Sequence, residues 1–287
     1  MSNIKPIDYL HTNDDQLNYQ QVKVMGIVNV TPDSFSDGGK FIHFDNALTQ
    51  VDEMVKSGVD IIDIGGESTR PGAKEVSEED ELKRVIPLLK AIKEKFSISV
   101  SIDTSKALVM EEAIAHGADM INDVRALQNE GCLAVLAKSN VPVCLMHMQG
   151  MPRTMQTNPQ YDNLITDITT FFNERIIACE QAGIAKSRII LDPGFGFGKT
   201  LKQNYQLLGQ LAQFHSLGLP LLSGTSRKSM IGNLLNCDIK ERLAGSLTTA
   251  IIAMQQGAKI IRVHDVKETV DALKILQAVA QPIELKG

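Results

Sequence analysis

The sequence predicts a (β/α)₈ barrel of the α/β class, built as one domain. Three observations carry this reading: short apolar, β-branched runs recur eight times, each is followed by a helical stretch, and no Pro/Ser-rich linker or charge run divides the chain. A strand buried on both faces reads as such a run, and the helix covering it shows an apolar stripe of period 3.6. The 287 residues also suit the fold, for which about 250 is typical. Counting strands leaves a doubly wound open sheet as the alternative, and in either architecture ligands bind beyond the carboxyl ends of the strands.

The predicted strands lie at 22–29, 59–64, 98–103, 119–123, 141–147, 188–192, 219–224 and 259–264. The helix after the second strand is the clearest. Ser77 can cap it, and Glu78, Glu79 and Asp80 favour its positive end. Leu82, Val85, Ile86, Leu89, Ile92 and Phe96 make its stripe, with Pro87 as a site of kinking. Gly58, Gly117, Gly183 and Gly257 follow helical stretches as C-terminal stops. Residues 1–21 form a polar N-terminal extension of unassigned role, and 22–287 form the barrel domain.

Composition narrows the function. With 34 acidic and 29 basic side chains the net charge is -5, which argues against a nucleic-acid footprint. No apolar stretch reads as a signal peptide or membrane helix, so a cytoplasmic protein is expected. Cys132, Cys144, Cys179 and Cys237 lack metal-ligand spacing and read as reduced packing residues.

Polar residues gather at the strand ends: Asn29, Asp63, Asp103, Asn122, Asp123, His147, Asp192, Ser223, Arg262 and His264. Any one alone reads as a cap or turn; together they read as the rim of a shared cleft. Two Gly/Ser/Pro-rich loops, 31–39 and 65–72, follow the first two strands and exceed the usual βα loop length. The run Asp192-Pro193-Gly194-Phe195-Gly196-Phe197-Gly198-Lys199-Thr200 imitates a phosphate loop, but a Walker A pattern needs Gly at 193, and GxGxxG from Gly194 needs Gly at 199. The acceptors Asp103, Asn122 and Asp192, with the cations Lys228, Arg70, Arg262 and His264, suit a ligand with a donor-rich planar head and an anionic tail.

These segments resemble the dihydropteroate synthase family. The resemblance rests on Asn29-Val30-Thr31-Pro32-Asp33-Ser34-Phe35-Ser36-Asp37-Gly38-Gly39 and Asp60-Ile61-Ile62-Asp63-Ile64-Gly65-Gly66-Glu67-Ser68-Thr69-Arg70-Pro71-Gly72. Further segments follow in the family's order, including Ser101-Ile102-Asp103-Thr104, Ile121-Asn122-Asp123-Val124, Ser226-Arg227-Lys228-Ser229 and Arg262-Val263-His264-Asp265. It implies a transferase on a (β/α)₈ barrel that joins 6-hydroxymethyl-7,8-dihydropterin diphosphate to p-aminobenzoate, with sulfonamides as inhibitors.

The resemblance places the pterin at Asp103, Asn122, Met146, Asp192, Phe197, Lys228 and Arg262, with Asp192 accepting the donor edge. It places p-aminobenzoate at Phe35, Thr69, Arg70, Pro71 and Ser229, and diphosphate at Asn29, Thr69, Arg70, Arg262 and His264. Asn29 is the implied protein ligand to Mg²⁺, and Asp103, Lys228, Arg262 and His264 are the implied catalytic set. The expected reaction is dissociative loss of diphosphate followed by attack of the aromatic amine on a pterin-methyl cation. A homodimer is also implied. Methyltetrahydrofolate:corrinoid methyltransferases hold pterin similarly but do not need the 31–39 and 69–72 loops; a non-catalytic paralogue would not need Asn29, Arg70, Lys228 and His264.

Overall fold

The computed structural model describes residues 22–30, 40–68, 76–150, 155–156 and 158–280, with the backbone alone at 40–43. The chain order is β1 (Lys23–Asn29), α1 (Lys40–Lys56), β2 (Ile61–Gly65), α2 (Glu78–Lys95), β3 (Ser99–Asp103), α3 (Ala107–Ala115), β4 (Met120–Asp123), α4 (Cys132–Ala137) and β5 (Val143–Met146). It continues α5 (Leu164–Gln181), β6 (Ile189–Asp192), α6 (Leu201–Gly209), β7 (Leu222–Ser223), α7 (Ser229–Leu235), α8 (Leu243–Gln255), β8 (Ile260–Val263) and α9 (Val266–Ala280). All eight predicted strands form. Two helices, α7 and α8, follow β7 where one was expected.

The sheet decides between the two architectures. Its order is β6-β5-β4-β3-β2-β1-β8-β7, and every pairing is parallel. An open doubly wound sheet would leave the first or last strand at an edge, whereas β8 here pairs with both β1 and β7. A parallel bridge between Leu191 and Leu221 then joins β6 to β7, with Leu191 N–H donating to the Pro220 carbonyl at 3.0 Å. The seam is narrow because β7 is shorter than the predicted 219–224: Pro220 has no N–H to give a ladder.

Local chemistry explains the helices. Ser77 caps α2 by accepting from Asp80 N–H at 3.1 Å. Pro87 does not break the helix: it is exposed, so the carbonyl that loses its partner faces water. The buried face of α2 is Glu81, Val85, Leu88, Leu89 and Ile92, which shifts the expected stripe toward Leu88 and leaves Leu82 and Ile86 at its margin. Gly58, Gly117, Gly183 and Gly257 all take left-handed conformations, with φ between 88° and 92°, in keeping with their reading as stops.

The core has two parts. One is the shell between strands and helices, to which Val24, Val28, Ile62, Ile64, Val100 and Ile102 contribute. The other is a separate tier of Met25, Ile61, Met120, Cys144, Ile190, Leu222 and Ile260, one residue from each strand except β3. Strand side chains alternate between faces, so this tier fills the barrel interior. The site rests on it.

Ile61 is fully buried in the inner tier. Ile61→Ala should destabilise the protein by about 2–5 kcal/mol through lost transfer energy and a residual cavity. Chemical denaturation should show a lower midpoint with an unchanged slope.

Candidate active site

Two residues beyond the apolar tier the same face turns polar on four strands: Ile61 leads to Asp63, Met120 to Asn122, Ile190 to Asp192 and Ile260 to Arg262, while on β5 Cys144 leads to the apolar Met146. A period of two places these side chains directly above the plug. Register aligns them laterally, with Asp103 opposite Asn122 and Met146 opposite Asp192.

Arg262 organises this floor. Its Nε donates to Asp63 Oδ2 at 2.6 Å and its Nη2 to Asp103 Oδ2 at 2.8 Å. Asn122 Nδ2 donates to the same Asp63 oxygen at 3.3 Å. Burial alone would lower the Arg262 pKa, but the Asp63 and Asp103 carboxylates outweigh it and raise it, fixing the guanidinium as a cation. Burial pushes Asp103 up to about 7 despite Arg262, with Asp63 adding repulsion.

Across the mouth, Asp192 accepts from Gly194 N–H at 2.8 Å. Burial raises its pKa, while Lys228 and that N–H pull it back. Lys228 donates to the Phe195 carbonyl and stands 4.6 Å from the Phe197 ring centroid. Its pKa is lowered to about 8 by burial, against the pull of Asp192. Met146 is buried and Phe197 half-buried, as apolar walls require. The structure therefore brings together all seven residues expected at the pterin: Asp103, Asn122, Met146, Asp192, Phe197, Lys228 and Arg262.

The anion side is assembled at the rim. A Cβ on Gly65 would stand 3.4 Å from Asn29 Oδ1 and 3.9 Å from Asp103 Oδ2, so bare backbone separates two side-chain oxygens. His264 Nδ1 lies 3.1 Å from Ser226 Oγ, which also accepts from the His264 backbone N–H at 3.1 Å. Ser229 is the exposed first residue of α7. Phe35, Thr69, Arg70 and Pro71 lie outside the described residues, as do 1–21. The flanks of the second loop are held all the same: Glu67 pairs with Lys106, which also pairs with buried Glu81, and Glu67 Oε1 accepts from Val76 N–H at 3.3 Å.

Sequence reasoning gave Asp63 no role beyond a polar strand end. The signal was present: one carboxylate inside Ile61-Ile62-Asp63-Ile64, where any buried charge needs a partner. Ser226 carried no such signal, because its contact to His264 spans β7 and β8. His147, another strand-end residue, is not in the pocket. Its ring meets Phe171 edge-on at 4.9 Å, and burial followed by the charge of Lys199 lowers its pKa to about 2.

A family described as pterin binding enzyme matches residues 25–264. The dihydropteroate synthase of Escherichia coli K12 is 54% identical over 277 residues, covering 96% of this chain and 98% of that protein. The chain belongs to the dihydropteroate synthase family of pterin-binding enzymes. Solved family members superpose closely. The Yersinia pestis dihydropteroate synthase, crystallised with a sulfonamide drug, has a TM-score of 0.87 at 54% identity and covers 93% of this chain and 98% of its own. The Xanthomonas albilineans enzyme with 4-aminobenzoic acid has a TM-score of 0.86 at 47% identity, covering 92% and 94%.

Two outcomes follow from the charges of the floor. Asp192→Asn exchanges an acceptor oxygen for a donor, and a charged hydrogen bond is worth about 1.5–3 kcal/mol, so pterin affinity by calorimetry should fall roughly 10- to 100-fold in a folded protein. Pterin binding should also be bell-shaped in pH. It should rise through about 7 as Asp103 ionises and fall above about 8 as Lys228 loses its proton; a one-sided profile would remove one of these charges from recognition, and a flat one both.

Proposed function

We propose that the protein condenses 6-hydroxymethyl-7,8-dihydropterin diphosphate with p-aminobenzoate, releasing diphosphate and forming 7,8-dihydropteroate. The observation that carries the reading is the match of nearly the whole chain to dihydropteroate synthases, which spans the strands bearing the Asp63–Arg262–Asp103 floor.

A pterin presents its 2-amino group and N3–H as a donor edge. Asp192 is placed to accept that edge and Asn122 to complete it, while Met146 and Phe197 enclose the ring. Loss of diphosphate leaves positive charge on the pterin methylene. The carboxylates of the mouth, Asp103 and Asp192, stabilise that charge without reorganising, because Arg262 and Gly194 N–H already hold them. Two of the five N–H groups of Arg262 are committed to carboxylates, so the others remain for the departing anion. His264 stands beside it on the same strand end. The aromatic amine is nucleophilic as the neutral base, so no strong general base is needed, and its proton can leave after attack to water or diphosphate.

The donor set at the rim fits Mg²⁺. Asn29 offers a side-chain amide oxygen beside Gly65, on whose other side stands Asp103. A hard cation there would take its other ligands from substrate phosphates and water. Bound there, Mg²⁺ would neutralise charge on the leaving diphosphate.

The reading extends to a homodimer in the cytoplasm. Leu234, Leu235, Ile239 and Leu243 expose apolar surface on α7, the turn after it and the start of α8 that a second copy can cover, and the four cysteines are unpaired, as in a reducing compartment. No described helix is long and apolar enough to cross a membrane.

A radioassay with both substrates should show dihydropteroate formation that depends on Mg²⁺. Sulfonamides, which carry an aniline ring and an anionic tail, should inhibit competitively against p-aminobenzoate. Inhibition insensitive to p-aminobenzoate would place the drug elsewhere, and pterin binding without turnover would favour a non-catalytic paralogue.

A further inference from the structure

Lys199 is only 2% exposed, and nothing in the reaction above employs it. A phosphate loop would aim this lysine outward at an anion. Here it turns back on its own loop. Nζ donates to the Gly194 carbonyl at 2.9 Å and the Phe197 carbonyl at 3.1 Å, and lies 3.0 Å from His147 Nδ1. An ammonium has three N–H groups and no acceptor, so these partners match it one for one, with His147 accepting as a neutral imidazole. Burial lowers Lys199 to about 7, yet the neutral amine keeps two N–H groups for the two carbonyls. The loop contact survives either state.

The loop so gathered is pressed onto the end of β5. Gly194 and Gly198 have φ of 72° and 63°, and a Cβ on either would overlap a backbone carbonyl, of His147 or of Gln149. From the other side Asn204 Oδ1 accepts from Gly196 N–H at 2.6 Å. What the loop presents to the pocket is specific. The Phe195 carbonyl and the Phe197 ring hold Lys228, and Gly194 N–H holds Asp192.

We propose that Lys199 is a positioning residue of the pterin pocket: by tying the 194–198 loop to His147, it sets where Lys228 and Asp192 stand. This rests on the functional reading above only in taking pterin as the ligand. Lys199 acts through the loop and touches no substrate, so its loss is felt by one substrate and not the other. Neither the Gly-Lys-Thr order nor local spacing shows this, since the partner His147 lies just past the end of β5.

Lys199→Met keeps the length of the side chain and removes every donor. Calorimetry with a pterin should show its Kd rise about tenfold or more, as expected when a charged donor and its buried acceptors are separated. The KM of the pterin diphosphate should rise in step, while the KM of p-aminobenzoate stays within about twofold. Leu89→Ala, on α2 across the barrel, is the control: its Tm should fall while its pterin Kd does not move. If Lys199→Met does not fold, Lys199→Gln, which retains two N–H groups, is read in the same way with a smaller rise. A variant with lowered Tm and wild-type pterin Kd would overturn the proposal. Wild-type protein that binds pterin but makes no dihydropteroate would refute the functional reading and leave this test intact.

Discussion

The pocket depends on a guanidinium clamped between two carboxylates at the mouth of a closed barrel. Removing three charges from water is costly, and such a cluster is poor evidence of stability. Its value is positional. Arg262 belongs to β8, Asp63 to β2 and Asp103 to β3, so the cluster spans the strand junction that closes the barrel. Asp63 holds Arg262 and Asn122 through one oxygen, which leaves Asp103 as the acceptor facing the ligand. A cationic reaction centre then meets an environment already polarised for it.

A second layer of contacts holds what the floor cannot reach. Asp123, at the end of β4, takes N–H groups from Arg125 and Leu127 at 2.8 and 2.7 Å and a hydroxyl from Ser105. It thereby steadies Ala126 and Leu127 in left-handed conformations that ordinary residues avoid. Arg227 pairs with Asp265 and links the loop bearing Lys228 and Ser229 to the one following His264. Each device joins neighbouring strand ends, so the mouth behaves as a continuous ring.

Much of this was legible in the sequence, and the reasons are particular. The strands were readable because burial on both faces forces apolar, β-branched runs such as Ile189-Ile190-Leu191. Asp103, Asn122, Asp192 and Arg262 were readable because each interrupts such a run at or near its carboxyl end, and Met146, Phe197 and Lys228 because the long segments around them match a family. Asp63 was seen but not understood: its importance comes from Arg262, 199 residues away. Lys199 was left without a role once the phosphate-loop patterns failed, because its partner His147 is brought to it only by the pairing of β5 with β6. The short β7 was overestimated because hydropathy does not register the N–H that Pro220 lacks. The division of the helical stretch after β7 into α7 and α8 was missed because a seven-residue helix such as α7 is too short to show in periodicity where it ends.

The pairing of β1 with β8 has a temporal consequence. Lys23 lies opposite Ile260, so β1 receives this neighbour only after more than two hundred further residues have been made. Until then β1 presents an unpaired edge, a template for wrong partners, and at a translation rate of about 5–20 residues per second that exposure lasts for many seconds. The arginine that completes the pocket arrives on the same late strand. A nascent chain can thus neither close its sheet nor form its site early, and ring closure and readiness for substrate coincide in one event.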